Sequence, residues 1–225
     1  MLSLGFVTGV EPDKWLRRFR ENTTHGGVDA RGLDDPLDPV LAGELDLALI
    51  RLPDPRIDDS LHVIELYDES LGIAVPKDSL FEEAGETLVP RDVEGEIINY
   101  RTADDGSVDL AELRAALQVV AANVGVAVAP RPALKVLSKK QVVHLGYDDP
   151  TVPPTRIALA FLRDSDSDAV QDFVGVAKGR GANSSRQAAP KRSAREKTLA
   201  KQERRGAAPK KPPASRRGRR TRKGK

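Results

Sequence analysis

The sequence predicts an α/β body with mainly parallel sheets, running to about residue 178 and followed by a basic, disordered tail. Three observations carry this. Short apolar runs bounded by turn residues alternate with segments whose apolar residues recur at helical spacing. Every such run or stripe lies before Lys178. Charge divides at the same place. From Lys178 to Lys225, 19 Lys or Arg stand against Glu196 and Glu203, whereas residues 1–177 hold 17 basic and 32 acidic side chains. The body is therefore near −15 and the tail near +17, a split that points to an interaction tail.

Leu2 to Val7 reads as a short apolar strand. Glu11-Pro12 then opens a helix, with Pro12 suited to its first position. Trp15, Leu16 and Phe19 share one face of that helix, and Gly26-Gly27 ends it. A strand follows over Val28–Leu33, then a short helix carrying Leu37, Val40 and Leu41. The run Leu45–Ile50 has the composition of a buried parallel strand. Leu61–Tyr67 and Ser70–Val75 give two more strands, residues 77–95 a loop with one helical turn, and Glu96–Tyr100 a strand. Asp109-Leu110-Ala111-Glu112 forms a capping pattern ahead of the stripe Leu110, Leu113, Leu117, Val120. Strand Val124–Ala129, helix Arg131–Leu137, strand Val142–Leu145, strand Ile157–Leu162 and a helix around Val170–Ala177 complete the body. Beyond Gly179, Lys, Arg, Ala, Pro, Ser and Gly dominate, and such a segment buries too little apolar area to offset its ordering entropy.

Several classes drop out. Cysteine is absent, so disulfides, thiol nucleophiles and cysteine-held metals are excluded. The apolar start lacks a basic region and is cut off by Thr8, Gly9, Glu11 and Pro12, unlike a secretory signal. No apolar run approaches the roughly 18 residues of a membrane span, and the expected location is cytoplasmic. His25, His62 and His144 lie far apart with no metal-ligand spacing, so neither a metal nor a cofactor is expected. No nucleophile–base set can be assembled, and the expectation is not an enzyme.

Three stretches carry a resemblance. The first is Leu2-Ser3-Leu4-Gly5-Phe6-Val7 with Trp15-Leu16-Arg17-Arg18-Phe19-Arg20. The second is Leu41-Ala42-Gly43-Glu44-Leu45-Asp46-Leu47-Ala48-Leu49-Ile50-Arg51, with Leu71-Gly72-Ile73-Ala74-Val75-Pro76. The third is Val119-Val120-Ala121-Ala122-Asn123-Val124-Gly125-Val126-Ala127-Val128-Ala129-Pro130, with Asn123 where a glycine is usual. In this order they resemble the effector-binding domain of LysR-type transcriptional regulators over residues 2–177. The resemblance implies a two-lobed fold like the type 2 periplasmic binding proteins. Lobe one would be 1–74 plus 153–178, and lobe two 75–152. It also implies a small effector in the cleft between lobes, and a homodimer. Members of the family open with a winged helix-turn-helix. This chain begins at the first strand of the effector domain, so the expectation is a sensor without that DNA-reading module. The segment between Gly95 and Leu113 is also shorter than in the family, which bears on the ligand contacts of lobe two.

Candidate ligand residues lie at expected strand ends. Thr8, Gly9 and Val10 join the first strand to the first helix, where free N–H groups can hold a carboxylate. Arg51 follows Ile50, and Arg101-Thr102 follow Tyr100; arginine can pair a carboxylate through two bonds. The blander readings are an ordinary turn and solvated or ion-paired arginines. Asp34-Asp35 and Asp104-Asp105 read as solvated turn residues. In the tail, Arg216, Arg217, Arg219, Arg220, Arg222 and Lys223 surround an Arg-Gly-Arg core that resembles the centre of an AT-hook, against a generic polycation that binds phosphates by counterion release. Folding back onto the acidic body is a further alternative. Three functions compete. One is a regulatory sensor of a small, anionic metabolite whose tail binds nucleic acid. The second is a metabolite-binding or interaction protein with no direct DNA role. The third is an enzyme such as a prephenate dehydratase, whose Thr-Arg-Phe pattern is absent, since Tyr100-Arg101-Thr102 is not it.

Overall fold

The computed structural model describes residues 1–85 and 87–179. Two sheets organise them. The first has strand order β2-β1-β3-β9-β4, built from β1 (Leu2–Val7), β2 (Val28–Leu33), β3 (Leu47–Leu52), β4 (Leu61–Asp68) and β9 (Arg156–Leu162). The second has order β6-β7-β5-β8, built from β5 (Leu71–Pro76), β6 (Ile98–Arg101), β7 (Val126–Pro130) and β8 (Val142–Gly146). Among the described residues the α-helices are α1 (Asp13–Asn22), α2 (Leu37–Leu41), α3 (Leu80–Ala84), α4 (Leu110–Ala121), α5 (Arg131–Leu137) and α6 (Asp168–Ala177). Among the described residues no helix is long and apolar enough to cross a membrane.

The two-lobed α/β architecture is the expected one, but its sheets are mixed. β1 pairs in parallel with β2 and β3, and β6 with β7; the four pairings made by β9 and β5 are antiparallel. The reason is topological. The chain crosses between lobes twice, and both β5 and β9 enter a sheet from the other lobe, running against their neighbours. The sequence reading also put the first crossing inside β5, at 74/75. β5 lies wholly in the second sheet, so the crossing falls at Glu69-Ser70, between β4 and β5.

Alternation along β3 decides how lobe one packs. Leu47 and Leu49 face a core that includes Phe19 of α1 and Phe173 of α6, whose rings meet at 5.6 Å. Ala48 and Ile50 face the opposite side, against Leu37 and Val40 of α2. In lobe two, Ala74, Ala127 and Ala129 look toward Leu113, Leu117 and Val120 of α4, so small residues lie on the helix-covered face. Ile73, Val75, Val126 and Val128 fill the other face with Leu88 and Tyr147.

Local signals explain the element ends. Asp109 caps α4 by accepting hydrogen bonds from the N–H groups of Ala111 and Glu112. Asn123, just beyond α4, has φ +66, a left-handed conformation that asparagine tolerates, which accounts for asparagine where glycine is usual. α1 ends a turn before Gly26-Gly27. Thr23 turns extended at its end, and its hydroxyl donates to the Phe19 carbonyl at 2.8 Å. Pro12 sits at the N-cap of α1 rather than inside it.

Candidate functional site

The carboxyl ends of β1, β2 and β3 face the loop 102–109 of lobe two. Between them lies a cavity of about 370 Å³, lined from lobe one by Val7, Asp34, Asp35, Ile50, Arg51 and Arg56 and from lobe two by Ser107, Val108 and Leu110. Its position follows from strand register. Val7 pairs with Leu33, so the residues that follow, Thr8 and Asp34, emerge side by side. The Thr8 hydroxyl donates to Asp34 Oδ1 at 2.8 Å.

Three carboxylate–guanidinium groupings control the charge here, and a fourth lies away from the cavity. Arg114 of α4 reaches across the lobes to Asp34, with contacts of 2.6 and 2.7 Å. Arg56 holds Asp35 (2.6 and 2.9 Å) and Asp54 (2.7 and 3.0 Å). The Arg114 guanidinium, helped by the Thr8 hydroxyl, keeps the Asp34 carboxyl below the usual range. Arg56 does the same for Asp35 and Asp54. The third grouping is buried. Arg51 Nε donates to Glu69 Oε2 at 2.6 Å, and Nη2 donates to Glu69 Oε1 and to the Thr8 carbonyl, both at 3.0 Å. Thr155, where the chain returns to lobe one, donates its hydroxyl to Glu69 Oε2 at 2.8 Å. Glu69 N–H in turn donates to the Thr155 carbonyl at 2.9 Å, so the two crossings are bonded to each other and to Arg51. The fourth is Arg101, whose Nη2 donates to Thr151 Oγ1 at 2.6 Å and lies 3.7 Å from Asp149, with Asp104 at 3.4 Å from Nη1.

The sequence candidates separate accordingly. Thr8 stands beside the cavity with its hydroxyl turned to Asp34. Gly9 packs on the backbone of α5, where a Cβ would lie 2.8 Å from Ala133 N, and Val10 is buried in the core. Arg51 touches the cavity wall, but its charge is matched by Glu69, and its Nε and Nη2 donate to Glu69 and the Thr8 carbonyl. Arg101 is held by Thr151, Asp149 and Asp104 away from the cavity. Thr102 is 1% exposed, and its hydroxyl has no hydrogen-bond partner among the described residues. The anionic preference drawn from Arg51 and Arg101 therefore meets guanidiniums already matched by carboxylates. Tertiary contacts bring carboxylates within reach of both arginines, and burial makes pairing obligatory for Arg51. The residues that do face the cavity, Asp34, Asp35, Asp54 and Arg56, were not chosen from sequence, where Asp34-Asp35 read as solvated turn residues. Their signal was position, directly after a parallel strand at the sheet's carboxyl edge. The tail residues Arg216, Arg217, Arg219, Arg220, Arg222 and Lys223 lie outside the described residues.

The model of the LysR substrate binding domain matches residues 2–182. The chain belongs to the LysR substrate-binding domain family. Among curated proteins none matches it. Solved structures of similar fold include the BenM effector binding domain with its effector benzoate. That one has a TM-score of 0.59 at 15% identity and covers 79% of this chain and 90% of that one. The OxyR regulatory domain from Pseudomonas aeruginosa, as a cysteine mutant, has a TM-score of 0.54 at 17% identity, covering 79% and 95%. Full-length CbnR complexed with its target DNA has a TM-score of 0.57 at 16% identity, covering 79% and 69%. The LysR substrate-binding family and these neighbours are domains of transcriptional regulators rather than enzymes.

Proposed function

We propose that this LysR-type domain senses a small molecule bound in the cavity between its lobes, and that the basic tail tethers it to nucleic acid. One observation supports the sensing reading above the rest. The cavity opens at the carboxyl ends of parallel strands, is lined by both lobes, and is bridged at its edge by the Arg114–Asp34 pair. A molecule that displaces or braces that pair changes how the lobes are held. Three carboxylates, Asp34, Asp35 and Asp54, against the two guanidiniums of Arg114 and Arg56 favour an effector that brings hydrogen-bond donors, such as hydroxyl or amine groups. A cytoplasmic homodimer is part of the same reading.

The test is a thermal-shift screen of the full chain against small polar metabolites. An effector at a hundred times its dissociation constant adds about 2.7 kcal/mol, or roughly 5–11 °C in a domain of this size. Asp35→Asn and Arg56→Gln should abolish that shift. A shift of equal size in both variants would move the effector elsewhere.

The tail reading rests on charge. Each phosphate neutralised on duplex DNA contributes about −0.9 to the slope of log affinity against log salt. Engaging about half of the 19 cations gives a slope steeper than about −8. Fluorescence anisotropy of the full chain on duplex DNA should show that slope, with little dependence on sequence because lysine and arginine charges meet phosphates rather than base edges. Weak or salt-independent binding would remove the tether.

A further inference from the structure

A second cavity lies on the seam between lobes, separated from the first by the packing of Gly9 against Pro132 and Ala133. It measures about 420 Å³, within the range of small-ligand sites. Lobe one contributes Gly9, Glu11 and Tyr67, the crossing contributes Ser70, and lobe two contributes Arg131, Pro132, Lys135 and His144. Its electrostatics differ from those of the first cavity. Lys135 is taken by Glu11 at 2.8 Å. Arg131 makes no hydrogen bond or ion pair through its guanidinium with any described residue, in a body of net charge near −15. The unmatched charge at this seam is therefore one positive guanidinium.

The groups around Arg131 suit an anion. Burial, and next the Glu69 carboxylate, push the Tyr67 phenol up to about 12, so it stays a neutral O–H donor. Its ring, 6.3 Å from that of Trp15, offers an aromatic wall. Burial and the charges of Arg131 and Lys135 push His144 below its ordinary value, and its Nδ1 is buried without a hydrogen-bond partner among the described residues. Ser70 adds a hydroxyl.

We infer that this seam cavity is a second ligand site, which takes a small organic carboxylate with a planar apolar body, paired by Arg131 and bridging the two lobes. A carboxylate fits a planar two-donor guanidinium, and a single negative charge matches the single unpaired cation. The apolar body lies along Tyr67 and Pro132. This site is independent of the effector cavity, shares none of its lining residues, and answers to different variants.

Isothermal titration calorimetry of the full chain with benzoate, and with benzamide as its neutral counterpart, tests this at neutral pH. Benzoate should bind and benzamide should not. Arg131→Gln should weaken benzoate at least about tenfold, the loss expected for a charged pairing. Arg131→Lys should recover part of it, and Arg163→Gln, on the surface elsewhere, should change nothing. Arg131 is exposed, so these variants test binding rather than folding. Amide chemical shifts should move around residues 131–135 and His144. No uptake of benzoate, equal uptake by Arg131→Gln, or shifts confined to Asp34, Arg56 and Ser107 would overturn the inference.

Discussion

Glu69→Ala should lower the melting temperature by roughly 6–20 °C. The Glu69 side chain is 1% exposed and the Arg51 side chain 6%, so removing either leaves a buried charge without its partner. Breaking such a pair costs about 3–5 kcal/mol, and a domain of this size loses roughly 2–4 °C per kcal/mol. The loss falls on the connection between lobes. Glu69 and Thr155 are the two crossing points, and Arg51 ties them to β3 and to the Thr8 carbonyl. Arg51→Ala should do comparable damage. The apolar double variant Arg51→Met with Glu69→Leu should recover much of it, because no charge is then stranded. A melting curve for each variant, read as a double-mutant cycle, measures the coupling. A loss under about 1 kcal/mol for either single variant would place the pair among solvated surface bridges and end its role as a clamp.

Gly9→Ala should destabilise the domain and loosen the lobes together. Gly9 has φ +102, where an L side chain is strained by about 1–3 kcal/mol. The new methyl would also lie 2.8 Å from Ala133 N and 3.0 Å from the Pro132 carbonyl carbon, both in lobe two. The new methyl meets backbone atoms, so no neighbouring side chain can swing away to make room. The lobes must part, and the Glu11–Lys135 pair, 2.8 Å in length, separates with them. The expected result is a fall of roughly 2–12 °C in melting temperature, with a larger radius of gyration by small-angle scattering. Unchanged scattering together with an unchanged melt would mean that the β1–α1 loop yields without disturbing lobe two.

Much of the fold was legible because local patterns and burial agree. Helix α5 spans Arg131–Leu137 and strand β2 spans Val28–Leu33, as their patterns indicate. The Asp109 cap and the stripe of α4 read correctly, since capping and period are short-range properties. Strand ends shifted by one or two residues at β3, β6 and β7, where apolar runs continue past the hydrogen-bonded ladder. Strand direction was the misread feature. A buried apolar strand has the same composition whether parallel or antiparallel, and only the route of the chain between lobes decides it.

The candidate site was legible only in outline. Thr8 and Thr102 directly follow β1 and β6, while Arg51 and Arg101 lie within the last residues of β3 and β6 rather than beyond them, and the partners of both arginines lie far along the chain. Arg51 meets Glu69 18 residues on, Arg101 meets Thr151 50 residues on, and Asp34 meets Arg114 80 residues on. The sequence by itself determined the α/β alternation, the family resemblance in three ordered stretches, and the separation of an acidic body from a basic tail. Each of these depends on residue type and short-range spacing alone. Only the tertiary structure decided which arginines are spent. Pairing depends on distance in space, and two crossings of the chain set Glu69 and Thr155 against Arg51 while leaving Arg131 without a carboxylate among the described residues.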